Sequence, residues 1–189
     1  MIAHFGTALR VTIASVILFG FIYPLAMTGL AQVLFPRQAN GSLVEVNGKI
    51  VASDIIGQLW TKPKYFHGRP SAAGKNGYDP TATGATNLGP GSKKLIDATR
   101  ATIKTLQKEN PGAGMPPMDL VTSSASGIDP DISPEAAYYQ AARVATARHL
   151  PLKAVRSLIA QHIQPRELGF LGEPRVNVTA LNIALDARP

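Results

Sequence analysis

Charge is absent from Val11 to Phe35, VTIASVILFGFIYPLAMTGLAQVLF, and returns only at Arg10 and Arg37. As a helix this stretch reaches about 37 Å, enough to cross a hydrocarbon core of about 30 Å with some tilt. The pattern predicts a transmembrane helix over 11–35, a short N-terminal tail over 1–10 and a soluble domain over 36–189. A cleaved signal peptide is the alternative reading, since Gly29-Leu30-Ala31 is a small-x-small triplet. The run is much longer than the 7–15 apolar residues of a signal sequence, which favours a retained anchor. Pro24 predicts a break in the backbone ladder that neighbouring helices would tolerate. Ala8, Thr12 and Ser15 recur at helical spacing and offer a small-residue surface for close helix contact.

Beyond the anchor the periodicity becomes mixed. Leu43–Val46 and Lys49–Ala52 flank Asn47-Gly48, the pair suited to a type I′ turn, and predict a hairpin. Ile55–Trp60 reads as a short helix or a further strand. From 61 to 91 prolines and glycines alternate with Tyr65, Phe66, His67, Arg69, Tyr78 and Asn87, which excludes a long helix or regular strand. Irregular stretches of this length in compact domains are usually functional or disordered, and the aromatic residues argue against disorder. A binding loop and a structural loop packed on the domain both remain open.

Ser92 is placed to cap a helix with Leu95, Ile96, Thr99, Ile103 and Leu106 on one face, ended by Asn110-Pro111. Leu120–Thr122 reads as a strand. Ser133, Pro134 and Glu135 are N-cap, first-turn proline and dipole-matched acid of a helix reaching about His149. Pro151 starts another helix, which Gln164-Pro165 ends. Val176 and Val178 have strand spacing, and Leu181 and Leu185 suit a final helix. With no clean βαβα order, the class is α+β (mixed α/β), a soluble domain on a single transmembrane helix.

Composition narrows the chemistry. The chain has 189 residues, a formal charge of +7 and no cysteine. Disulfides, thiolate nucleophiles and zinc–cysteine sites are excluded. All 12 acidic residues and all but one of the 19 basic residues follow the anchor, spread along the sequence, so no nucleic-acid footprint emerges. Attraction to anionic membrane lipid or an acidic partner stays open. Ser123, Ser124, Ser126 and Gly127 form a turn before a helix, an arrangement that can cradle an anion. It lacks the lysine and spacing of a P-loop, and a plain capped turn is the simpler reading. Asp129 and Asp131 have neither EF-hand spacing nor a third carboxylate. His67, His149 and His162 are scattered, and G-x-S-x-G is absent. No catalytic residue and no metal ligand set is assigned.

Several segments nevertheless resemble one family. Tyr23-Pro24-Leu25, Tyr65-Phe66-His67-Gly68-Arg69-Pro70-Ser71-Ala72, Asn87-Leu88-Gly89-Pro90, Ser126-Gly127-Ile128-Asp129-Pro130 and Gly172-Glu173-Pro174 are similar, in number, order and spacing, to the KdpC family. These are the C subunits of the bacterial Kdp potassium-transporting ATPase. Thr83–Asn87 and Ser123–Gly127 depart from the family pattern by lost glycines, which weakens a close approach to phosphate.

The resemblance implies a non-catalytic accessory subunit of an ATP-driven K⁺ importer. Its partners would be a channel-like subunit, a P-type ATPase subunit and a small helical peptide. It also implies a role in assembly, and in raising the ATP affinity of the ATPase subunit, with ATP met only through the complex. The implied location is the bacterial inner membrane, single-pass, with the N-terminus cytoplasmic and the large domain outside. Pro24, Tyr65, Phe66, Arg69, Asn87 and Asp129 are the partner-binding candidates. A membrane-anchored periplasmic enzyme and a nucleotide-binding regulator are the alternative classes.

Overall fold

A computed structural model describes residues 2–187; Met1 at the start of the expected tail, and Arg188 and Pro189 at the end of the expected domain, lie outside the described residues. The chain separates into two compact units, Met1–Val51 and Ala52–Pro189.

In the first unit, helix α1 (Ile2–Ser15), a π-helical stretch (Val16–Ile22) and helix α2 (Tyr23–Leu34) run on without interruption. The helix therefore begins well before Val11. Its part from His4 to Leu34 is 31 residues long and apolar enough to span a bilayer. The π stretch is the local answer to Pro24. Proline has no N–H for the carbonyl of Gly20, and its ring crowds that carbonyl. Upstream the ladder widens, so that the Tyr23 N–H reaches back five residues to Leu18 O. A short helix α3 (Pro36–Ala39) follows, and Asn40 Nδ2 donates to Pro36 O at 2.7 Å. The hairpin forms as expected between β1 (Leu43–Val46) and β2 (Lys49–Ser53), with φ of 53° at Asn47 and 73° at Gly48. Both central residues are left-handed, which a type I′ turn demands.

The second unit holds the core. Its remaining elements are α4 (Lys93–Glu109), α5 (Met118–Val121), β3 (Asp131–Ile132), α6 (Pro134–Arg148), α7 (Leu152–His162), β4 (Ile163–Gln164), β5 (Arg175–Asn177) and α8 (Val178–Asp186). Strands β3 and β4 flank β5, both antiparallel to it, and Val176 faces Ile132 and Ile163 in register. Helices α6, α7 and α8 pack with this small sheet. They bury Ile132, Val144, Val155, Ile159, Val176, Leu181 and Leu185, while Phe66 enters the same core from the irregular stretch and Leu120 from α5. Ser133 caps α6 as its spacing predicts, with Oγ accepting from Ala136 N at 3.1 Å. At the other end His149 takes the left-handed conformation (φ 56°).

Four local expectations are corrected. Ile55–Trp60 is neither helix nor strand; only an isolated bridge joins Ser53 to Ile56. Leu120 and Val121 lie in the short helix α5, where Pro117 precedes a single turn and both side chains are buried. Val178 opens α8, because Asn177 Oδ1 accepts from Ala180 N at 2.9 Å and caps the helix there. Ser92 sits at the start of α4, but its side chain makes no cap bond. Only Leu106 of α4 is buried, so most of this amphipathic helix lies open to solvent.

Candidate functional site

The irregular stretch from 61 to 91 is held by side chains that imitate a neighbouring strand. Asn182 lies wholly within the core, and its amide takes both backbone groups of Phe66: Oδ1 accepts from Phe66 N at 2.8 Å and Nδ2 donates to Phe66 O at 2.9 Å. Gln140, equally buried, does the same for His67. Its Oε1 accepts from His67 N at 2.8 Å, and its Nε2 donates to His67 O at 3.0 Å. A side-chain amide carries one donor and one acceptor side by side, as a peptide group does. Two such clamps therefore replace the ladder that a proline- and glycine-rich segment cannot build.

Two arginines of α6 complete the hold. Arg143 donates to Tyr65 O at 3.0 Å, to Gln140 Oε1 at 2.7 Å and to Asn110 Oδ1 at 3.1 Å. Arg148 donates to Lys64 O at 2.7 Å and pairs with Asp186 at 2.6 Å. The Tyr65 hydroxyl donates to the same Asp186 carboxylate at 2.8 Å, and the Arg148 guanidinium lies 5.0 Å from the Tyr65 ring centre. Phe66, a partner-binding candidate in the sequence, supplies no surface: its side chain is fully buried among α6 and α8 residues.

A second joint ties the loop to residues 122–129. Arg69 Nη1 meets Asp129 Oδ2 at 2.9 Å, and Arg69 also donates to Thr122 O and Ser123 O. The structure thus brings together two sequence candidates, Arg69 and Asp129, and joins them to each other. Ser71 Oγ donates to Gly127 O at 2.5 Å and accepts from Tyr78 N at 2.7 Å. The Tyr78 hydroxyl donates to Arg69 O at 2.7 Å. Burial, with the nearby Asp129 carboxylate adding to it, pushes the Tyr78 phenol up to about 12. Asp131 is raised by burial and by Asp129, against the pull of Arg175 at 3.3 Å. A cleft of about 440 Å³ lies between this joint and α4, lined by Trp60, His67, Arg69, Tyr78, Thr105 and Glu109. Burial lowers the His67 imidazole, and Arg143 lowers it further, while Glu109 at 3.7 Å pulls the other way.

The Ser/Gly turn does not fit a phosphate cradle. The Gly127 N–H is taken by Ser124 Oγ at 3.0 Å and the Ile128 N–H by Ser126 Oγ at 3.2 Å. Gly127 itself (φ 72°) is pressed against the loop, where an added Cβ would meet Gly84 O at 2.8 Å and Ala73 N at 2.9 Å. Ser123 contributes its carbonyl to Arg69. Asn87 lies exposed with φ of 51° and does not join this cluster, and Pro24 belongs to the apolar helix of the first unit. Among the described residues no group of three or more His, Cys, Asp or Glu side chains converges as a metal site.

Gln140, Arg143, Arg148 and Asn182 carry the architecture, and no motif in the sequence marks them as such. Gln140 and Asn182 lie 73 and 116 residues from their loop partners. One signal does exist for Gln140: it is a polar residue beside Ala136, Ala137 and Val144, three apolar positions of the same helix face.

A family profile described as "KdpC: K+-transporting ATPase, c chain" matches residues 5–187. The chain is 55% identical to the potassium-transporting ATPase KdpC subunit of Acidobacterium capsulatum over 97% of each protein. It is 52% identical to that of Gemmatimonas aurantiaca, over 99% of this chain and 94% of the relative. Identity to the subunit of Methylobacterium nodulans is also 52%, over 98% of each.

Proposed function

The chain belongs to the KdpC family, the C chain of K⁺-transporting ATPases, and from that premise we propose how this accessory subunit supports K⁺ import. It is held in the membrane by its long apolar N-terminal helix and bound there to the channel-like subunit, the P-type ATPase subunit and the small helical peptide of the complex. It stabilises their assembly and promotes the activity of the ATPase subunit. The observation that carries this reading is the correspondence of the whole chain, anchor and domain alike, with KdpC subunits.

The proposed orientation has the N-terminus in the cytoplasm and the larger unit outside the inner membrane, the default for a short tail preceding a long domain. With ATP on the cytoplasmic side, any gain in ATP affinity passes through subunit packing. The packed Ser123–Gly127 turn agrees with a role that does not involve nucleotide contact.

Two measurements test the reading. An affinity-tagged full-length chain, extracted from membranes of K⁺-starved cells, is expected to bring down the ATPase and channel-like subunits; recovery of the chain alone refutes it. Protease added to intact spheroplasts is expected to digest the larger unit. Digestion only after the membrane is broken overturns the orientation.

A further inference from the structure

Between β4 and β5 the chain makes a small finger whose tip is apolar and open to solvent. Glu167 and Leu171 exchange both backbone hydrogen bonds at 2.9 Å, closing a three-residue loop of Leu168, Gly169 and Phe170. Leu168 is 82% exposed and Phe170 68%. Leu168 also holds φ of +52°, a conformation that a leucine adopts at a steric cost. Two ion pairs brace the finger: Arg166–Glu173 at 2.6 Å and Arg175–Glu167 at 3.0 Å, with Arg175 also reaching Asp131 at 3.3 Å. A left-handed leucine thus stands at the tip of a tight turn that holds two apolar side chains in water. That is the reverse of what solubility favours and the form of a pre-organised contact.

Charge and area decide what covers the tip. Each arginine at the base is matched by a carboxylate, so the finger carries no excess of positive charge for anionic headgroups. Peripheral segments that enter a membrane surface usually combine apolar residues with unpaired basic ones. Leu168, Phe170 and the half-exposed Leu171 leave on the order of 400 Å² of apolar surface, about half of what one side of a stable, free-standing interface buries. This is too little to hold two copies of the chain together. It is sufficient for a second contact by a subunit already tethered beside its partner, where effective concentration is high.

We propose that Leu168 and Phe170 insert into an apolar pocket on another protein subunit of the same complex, as a second attachment beside the membrane helix. The inference rests on the accessory-subunit reading above.

The test uses the full-length tagged chain expressed with the other subunits. Phe170→Asp and Leu168→Asp are each expected to lower recovery of the partner subunits at least tenfold while the chain melts as wild type. Leu168→Gly separates docking from folding, because glycine relieves the left-handed backbone and removes the contact together. It is expected to melt no lower than wild type and still lose partner. A benzophenone amino acid in place of Phe170 should photo-cross-link to a different protein subunit. Adducts with lipid only, a dimer of the chain only, or no adduct would overturn the proposal. Wild-type recovery of partners by all three variants would do so too. If the wild-type chain recovers no partner, the accessory-subunit reading is what fails.

Discussion

Asn182 and Gln140 stabilise the Tyr65–Arg69 stretch by satisfying its backbone, and their removal is costly for a reason that size does not capture. Asn182→Leu keeps the branching at Cγ but strands the N–H and C=O of Phe66 inside the core. A cost of about 2–6 kcal/mol is expected, at roughly 1–3 kcal/mol for each of the two buried groups left unpaired, read from urea denaturation of the full-length chain in detergent. His67 supplies a pH dependence. Its folded-state pKa is lowered by burial and then by Arg143, below the ordinary value of 6.5. The unfolded chain therefore binds the proton first. Stability is fully present above about pH 6.5 and falls as the pH drops from there through the folded pKa. His67→Gln should flatten that slope in a melting series from pH 8 to pH 5; an unchanged slope would mean that another group carries it.

Among the elements, the membrane helix depends most on a single residue. The widened ladder at Val16–Ile22 places extra backbone in the helix before Pro24, and each added residue turns the preceding face by about 100°. The face bearing Ala8, Thr12 and Ser15 is thereby set relative to the face after Pro24. Pro24→Ala restores an N–H for Gly20 O. The expected outcome is a regular α-helix through 16–22, seen as α-helical carbon shifts in solid-state NMR, with weaker recovery of partner subunits. Retention of the π-helical shifts would show that packing, not proline, sets the bulge. Helix α6 was readable from its own residues, since Ser133, Pro134 and Glu135 act within one turn of each other. The segments 55–60 and 120–122 were not, because short apolar runs take the conformation their neighbours allow.

At the scale of the molecule, the core of Ile132, Val144, Ile159, Val176 and Leu181 lies in the second unit, and the apolar helix has no buried side chain among its described residues. Replacing residues 11–34 with a leucine helix should therefore leave the urea midpoint of the second unit unchanged while abolishing capture of the partner subunits. A shifted midpoint would show that the two units stabilise each other. The finger at 168–170 makes the complementary prediction from the opposite end of the chain.

The membrane helix, the Asn47-Gly48 hairpin, the α6 cap and the family were all legible in the chain as written. Each depends on residues close in sequence or on a pattern repeated over the full length. The loop from 61 to 91 was legible only as a choice between binding and structure. Tertiary contacts settled Phe66 as core, coupled Arg69 to Asp129, closed the Ser123–Gly127 turn and left Leu168 and Phe170 exposed. Those outcomes depend on which distant groups meet. A side-chain amide satisfies a backbone 116 residues away only after the helices have packed, and an apolar residue is known to be uncovered only once the core is complete.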